Sequence, residues 1–228
     1  MRSKVQSCKI CQQYHRPQPS DEMGCWHEPD KPGEVIGFDF MGPFFSKGNR
    51  KKCWVLVIID WLSRLGEAWM VKGIGAREVG EGLNRWERQH GRLRVVCSDT
   101  VQANRSKAIQ EWGRMRDVKL EVSPPFHHAS LGLVERFNQT LLHQIRKMWL
   151  EEGKDFKGIV RCAVQVYNET PLSRRLGSPM RLWGAGRAVW NQLIEHSHSQ
   201  REKANCRVKG RRWGQKLVLG QRVWLWDT

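Results

Sequence analysis

"GLVERFNQTLLHQIRKMW" spans Gly132–Trp149 and decides how the rest of the chain is read. Val134, Phe137, Leu141, Ile145 and Met148 recur in steps of three and four, which predicts an amphipathic helix with one buried stripe. Ser130 is a credible N-cap for it. Glu135 stands one position off the stripe, in the first turn, just after the loop "PPFHHASL". An acid there is mildly favoured by the helix dipole alone. It is also where a metal ligand would stand, and that reading needs other carboxylates nearby.

Working outward, "EVIGFDFMG" (34–42) is rich in Val, Ile and Phe and reads as a buried strand. "KKCWVLVIIDWLSR" follows, apolar without a break from Cys53 to Ile59, as suits a central strand covered on both faces. "GEAWMVK" (66–72) should pair with it after a short turn. In "AREVGEGLNRWERQHG", Val79, Leu83 and Trp86 fall at helical spacing and Gly91 supplies a stop. "LRVVCSD" (93–99) is a short strand ending in an acid. "SKAIQEWGRM" is a helix with Ile109, Trp112 and Met115 on one face, and "VKLEVS" (118–123) alternates like a strand. Pro124-Pro125 then enforces a loop. "DFKGIVRCAVQVYNET" is a further helix ending before Pro171, and another is expected around Ala188–Ser197. The order β-β-β-α-β-α-β-α-α gives an α/β fold, a mixed five-stranded sheet with helices on both faces and a C-terminal helical extension.

Composition bounds the partners. Thirty-nine Lys and Arg against 23 Asp and Glu give a formal charge of +16 and point to a polyanion, nucleic acid first. The densest basic run, Arg201–Lys216, holds seven Lys and Arg and reads either as a phosphate-tracking segment or as a solvated linker. No apolar stretch approaches ~20 residues, so no membrane partner is expected. The first 24 residues lack the apolar core of an export signal, and seven cysteines without such a signal argue for reduced thiols.

Asp39 lies in the first strand and Asp99 ends the fourth. If those strands are neighbours, the two acids face each other, and a helix starting beside that sheet end brings Glu135 across. Three carboxylates so placed can hold two Mg²⁺ (or Mn²⁺) ions about 3.5–4 Å apart. Asp60 in "IIDWLSR" is a fourth acid, read as a turn or capping residue outside the cluster.

These residues carry a resemblance. "GFDFMGPF", "VVCSD" and "GLVERFNQTL", with 35 residues between Asp99 and Glu135, resemble the three acid motifs of retroviral and gypsy-type LTR-retrotransposon integrases, the gypsy type more closely. "VYNETPLSRRLGSPMRLWGAG" is similar to the family's downstream Asn-x-Thr-Pro and Ser-Pro stretch. The resemblance covers about residues 35–185. It implies a ribonuclease-H-like fold and divalent-metal catalysis by Asp39, Asp99 and Glu135. It further implies DNA (element ends and target duplex) as substrate, 3′-end processing and strand transfer as the reactions, a homo-oligomer, and a nuclear location. His127, Arg136 and Asn138 near the third acid, with Arg211, Arg212 and Lys216 in the tail, are the expected nucleic-acid contacts.

The pattern departs from the family in places. After Asp99 the family has a Gly and an aromatic where Val101 and Asn104 stand here. Its His-Pro-Gln-Ser-Asn-Gly loop is His127-His128-Ala129-Ser130-Leu131-Gly132 in this chain. Residues 1–32 resemble part of the family's zinc-binding domain. Cys8 and Cys11 supply half a zinc site, which Cys25 with His27, or His15, could complete; an unmetallated remnant is the other reading. Residues 33–185 form the expected catalytic core. Residues 186–228 form a helical, basic linker that runs into "KLVLGQRVWLW", the start of the family's small barrel. A non-catalytic nucleic-acid-binding module and, behind it, a ribonuclease H are the competing function classes. An intact element enzyme and a decayed or domesticated copy stay open.

Overall fold

The computed structural model describes residues 28–46, 49–98, 106–122, 132–149, 155–173 and 176–210. Chain contacts divide the protein into two units, Cys25–Ser197, and Met1–Gly24 with His198–Thr228. Of the second, only 198–210 is described, as helix.

The first unit is built on a five-stranded sheet: β1 (Val35–Ser46), β2 (Asn49–Asp60), β3 (Gly66–Val71), β4 (Val95–Ser98) and β5 (Lys119–Val122). The spatial order is β3-β2-β1-β4-β5. β1–β2 and β2–β3 are antiparallel, while β1–β4 and β4–β5 are parallel. The first and fourth strands are therefore neighbours. The helices are α1 (Ala76–His90), α2 (Lys107–Arg116), α3 (Gly132–Trp149), α4 (Phe156–Glu169), α5 (Pro179–Trp183) and α6 (Arg187–Gly210).

Strand period explains why β2 is apolar throughout. Val55, Val57 and Ile59 face one side and join Val134, Phe137, Leu141 and Ile145 of α3 and Ile159, Val160 and Ala163 of α4. Leu56 and Ile58 face the other and join Val79, Leu83 and Trp86 of α1 with Ile109 and Trp112 of α2. A strand buried on both faces needs no polar alternation. In β1, Ile36 and Phe38 belong to the α1/α2 layer and Met41 to the α3/α4 layer. Asp39, odd-numbered like Met41, therefore lies on the α3 side.

Local chemistry sets the ends. Gly91, at φ 94, caps α1 as expected. Ser106 accepts from the Ile109 N–H to open α2, and Asp155 accepts from the Gly158 N–H to open α4.

Three expectations need correction. Met115 is 75% exposed, and the third buried residue of α2 is Gly113. Steps of three lag the helical repeat by about 60° each, so by the second step the side chain has left the buried face. β1 continues to Ser46, past Gly42-Pro43, because the register shifts between Met41 and Phe44 and pairing resumes at Phe44↔Cys53. α6 is longer than Ala188–Ser197 and takes in Arg201–Gly210, where a linker was expected.

Candidate functional site

The β1–β4 ladder ends on the pair Phe38↔Ser98. Asp39 is the next residue after Phe38, and Asp99 the next after Ser98. Asp99 itself lies outside the described residues, as do Cys8, Cys11, His15, Cys25, His27, Val101, Asn104, His127, His128, Ser130, Arg211, Arg212 and Lys216.

Asp39 is partly buried, and both of its carboxylate oxygens accept hydrogen bonds. The Phe40 N–H donates to Oδ1 at 2.7 Å, and Asn138 Nδ2 donates to Oδ2 at 2.8 Å. The second bond matters more, because Asn138 belongs to α3 and lies one turn after Glu135. It fixes the start of that helix over β1 at the level of Asp39. Positions i and i+3 on a helix have Cβ atoms roughly 5–6 Å apart, so Glu135 is held beside the same strand end. Glu135 is exposed and accepts from Gln139 Nε2 at 3.3 Å. Asn138 Oδ1 is buried and has no hydrogen-bond partner among the described residues.

The close approach of α3 has a steric cause. A Cβ on Gly37 would meet Val134 Cγ2 at 2.5 Å and the Trp61 indole nitrogen at 3.2 Å. Gly37→Ala is expected to lift α3 off β1 and cost about 1–3 kcal/mol, the usual range for overpacking. A denaturant titration would show it as a lower midpoint at unchanged slope. An unchanged midpoint would mean the helix does not rest on this contact.

Asp60 is fully buried and set apart from Asp39. It pairs across β1 with Ile36, three residues from Asp39, or about 10 Å along the strand. Its Oδ1 accepts from the Gly33 N–H at 2.8 Å. Its Oδ2 accepts from the N–H groups of Leu62 (3.1 Å) and Ser63 (2.6 Å) and from the Ser63 hydroxyl at 2.7 Å. Burial pushes its carboxyl above the usual range, and these donors together with Arg64 pull it back. It is a turn-organising acid, closed off from solvent and committed to its own turn.

Arg136 is exposed and acts electrostatically on Arg64 and the Tyr167 hydroxyl. One residue turns the helix by about 100°, which carries it away from the Glu135 side. Burial pushes Tyr167 up to about 12 and lowers Arg64. Under these groups Gly66 is clamped by Asn168. The Gly66 N–H donates to Asn168 Oδ1 at 2.9 Å, and Asn168 Nδ2 donates to the Gly66 carbonyl at 2.8 Å. Asn168 stands in the Asn-x-Thr-Pro stretch and Gly37 opens "GFDFMGPF", but neither motif shows what these residues touch, since the clamp joins positions 102 residues apart.

No group of three or more His, Cys, Asp or Glu capable of holding a metal occurs among the described residues. Asp39 and Glu135 still fit Mg²⁺ chemically, being carboxylate oxygens on facing elements at one sheet end, one of them partly solvated. No helix among the described residues is long and apolar enough to cross a membrane.

No family model matches the chain. Over 211 residues it is 27% identical to the Gag-Pol polyprotein of baboon endogenous virus, covering 90% of this chain and 12% of that protein. It is 25% identical over 142 residues to an insertion-element protein of Burkholderia multivorans, covering 62% of this chain and 51% of that one. The chain thus spans about half of one of these relatives and about an eighth of the other. Among solved structures, the simian T-cell lymphotropic virus intasome in complex with the PP2A regulatory subunit B56 gamma matches with a TM-score of 0.67. The match has 20% identity and covers 81% of this chain and 66% of that one. The HTLV-2 integrase catalytic core domain, solved in complex with magnesium, matches with a TM-score of 0.58 and 16% identity. It covers 67% of this chain and 97% of that one. The fold is that of a ribonuclease-H-like integrase catalytic core. The chain's resemblance is to the retroviral and retrotransposon integrases, with sequence relatives among retroviral Pol polyproteins and insertion-element proteins.

Proposed function

We propose that the chain carries the catalytic core of an integrase-type polynucleotidyl transferase acting on DNA, with Asp39, Asp99 and Glu135 as its metal-binding acids. One observation carries the reading. The ladder pair Phe38↔Ser98 immediately precedes two of the acids, and the Asn138–Asp39 bond ties the helix of the third to the same place. In this reading Asp39 and Asp99 hold Mg²⁺ from the sheet and Glu135 holds it from α3. Asn138 positions Asp39 by occupying one of its oxygens. Divalent metal bound there supplies activation of the attacking water or 3′-hydroxyl and charge stabilisation on the leaving oxygen. A related core solved with magnesium in dimeric and trimeric forms supports both the cofactor and a homo-oligomer. The basic charge supports a DNA partner, through His127, Arg136 and the Arg211, Arg212 and Lys216 tail, and integration into chromosomal DNA calls for a nuclear location. The proposed domains are residues 1–32, 33–185 and 186–228, with Cys8 and Cys11 as candidate zinc ligands.

The test is a Mg²⁺- or Mn²⁺-dependent strand-transfer or disintegration assay on short duplexes. Absent turnover would leave the second reading, a catalytically inactive nucleic-acid-binding module, and metal-independent turnover would overturn the metal site. That reading has its own support in the fact that both Asp39 oxygens are already engaged.

Metal binding alone has a readout. A ligand that binds only the folded protein stabilises it by about 2.7 kcal/mol at one hundred times its dissociation constant. Millimolar Mg²⁺ or Mn²⁺ should therefore raise the melting temperature, and Asp39→Asn or Asp99→Asn should remove the rise. Identical melts with EDTA and with Mn²⁺ would sink the site.

A further inference from the structure

The β1–β2 hairpin outgrows the sheet that holds it. β1 runs seven residues past Asp39, to Ser46, or roughly 20 Å. β4 stops pairing with it at Phe38, and β3 pairs with β2 only from Trp54 inward. From Phe44↔Cys53 outward, through Phe45↔Lys52 and Ser46↔Asn49, the two strands pair only with each other among the described residues. The root is fixed: the Phe44 ring packs on Phe156 of α4 at 5.0 Å, and the Cys53 thiol donates to the Phe44 carbonyl at 3.6 Å.

Beyond the root the chemistry changes. Arg50, Lys51 and Lys52 follow one another along β2, and no Asp or Glu occurs between Asp39 and Asp60. Lys52 is exposed and has no ion pair among the described residues, and Phe45 opposite it is 56% exposed. A surface basic arm in a folded protein usually meets acids of its own chain, and this one has none within its own hairpin. A two-stranded β-ribbon is also one of the shapes that fit along a duplex groove. We propose that this hairpin is a basic arm that lies along the phosphate backbone of duplex DNA, beginning at Asp39 and leading away from the acids. The proposal rests on the reading of the chain as DNA-acting and adds the element that would set the duplex in register.

Backbone contacts release counterions, so each phosphate neutralised contributes about 0.9 to the slope of log affinity against log salt. Two triple variants of the full chain should be compared on a duplex of arbitrary sequence, in EDTA, between 50 and 200 mM salt. One is Arg50→Gln, Lys51→Gln, Lys52→Gln. The other, Arg88→Gln, Lys107→Gln, Arg114→Gln, removes the same charge from exposed positions on α1 and α2. The arm variant should flatten the slope by about 2–3 units and the control by less than one. Equal effects from both triples, or an unaffected slope in the arm variant, would overturn the arm. A melt checks that the arm variant is folded, and Lys52→Glu alone, which should flatten the slope by about 0.9 unit, covers the case in which it is not. A parent chain that does not bind duplex overturns the DNA reading and the arm together. Arm-dependent binding without metal-dependent turnover leaves the arm standing and removes only the catalytic reading.

Discussion

Glu135→Gln is expected to lower metal-dependent strand transfer by about 10³-fold or more, the scale seen when one member of a catalytic unit is removed. The change keeps the shape of the side chain and the Gln139 contact site but removes the charge that holds metal. Melting without metal should be unchanged, because Glu135 is exposed and its only described bond is at the surface. Asp39→Asn should be equally inactive. Asn138→Ala should be milder and different in kind. It removes the Asn138 bond to Asp39 Oδ2 and leaves the acids intact, so activity should fall by about 10–100-fold, with part of it recovered at high Mn²⁺. If Glu135→Gln retained more than a tenth of the parent activity, the third acid would be misassigned.

Asp60→Ala is expected to have the largest effect on stability. It leaves four donors without an acceptor: the N–H groups of Gly33, Leu62 and Ser63 and the Ser63 hydroxyl. Orphaned buried donors cost about 1–3 kcal/mol each before relaxation. With water entering and the turn loosening, a net loss of about 3–5 kcal/mol is expected, or a melting temperature roughly 10 °C lower. Asp60→Asn should recover a good part of this, because its amide oxygen can take the three donors now on Oδ2 and only the Gly33 N–H then faces an amide N–H. The folded fraction should still turn over, which separates this acid from Asp39 and Glu135. Loss of activity at full stability would place Asp60 in the reaction and contradict its separation from the other acids.

What the sequence revealed depended on whether a signal was local. The unbroken run Cys53–Ile59 announced a strand covered on two faces, and Gly91 announced the end of α1. Beyond Met41, β1 was hidden because Gly42-Pro43 reads as a stop, whereas the register shift lets pairing resume after it. The later turns of α6 were hidden because a polar, basic helix without an apolar stripe looks like linker. At the site, Asp39 and Glu135 were found through motif resemblance, while Asn138 was read as a nucleic-acid contact on the helix surface. Its bond to Asp39 spans 99 residues, and no window along the chain contains both partners.

The Gly66–Asn168 clamp bears on how the folded molecule avoids its own kind. β3 is the outermost strand on its side of the sheet. Such a strand offers unpaired N–H and C=O groups to any extended segment that drifts past, which is how native sheets seed association. At Gly66 both groups are already satisfied by one side-chain amide. Asn168 offers one acceptor and one donor, as a neighbouring strand would, and it does so from a helix that cannot itself be extended by further strands. The start of β3 is therefore closed to recruitment. Asn168→Ala would reopen it, with faster aggregation at high protein concentration as its mark.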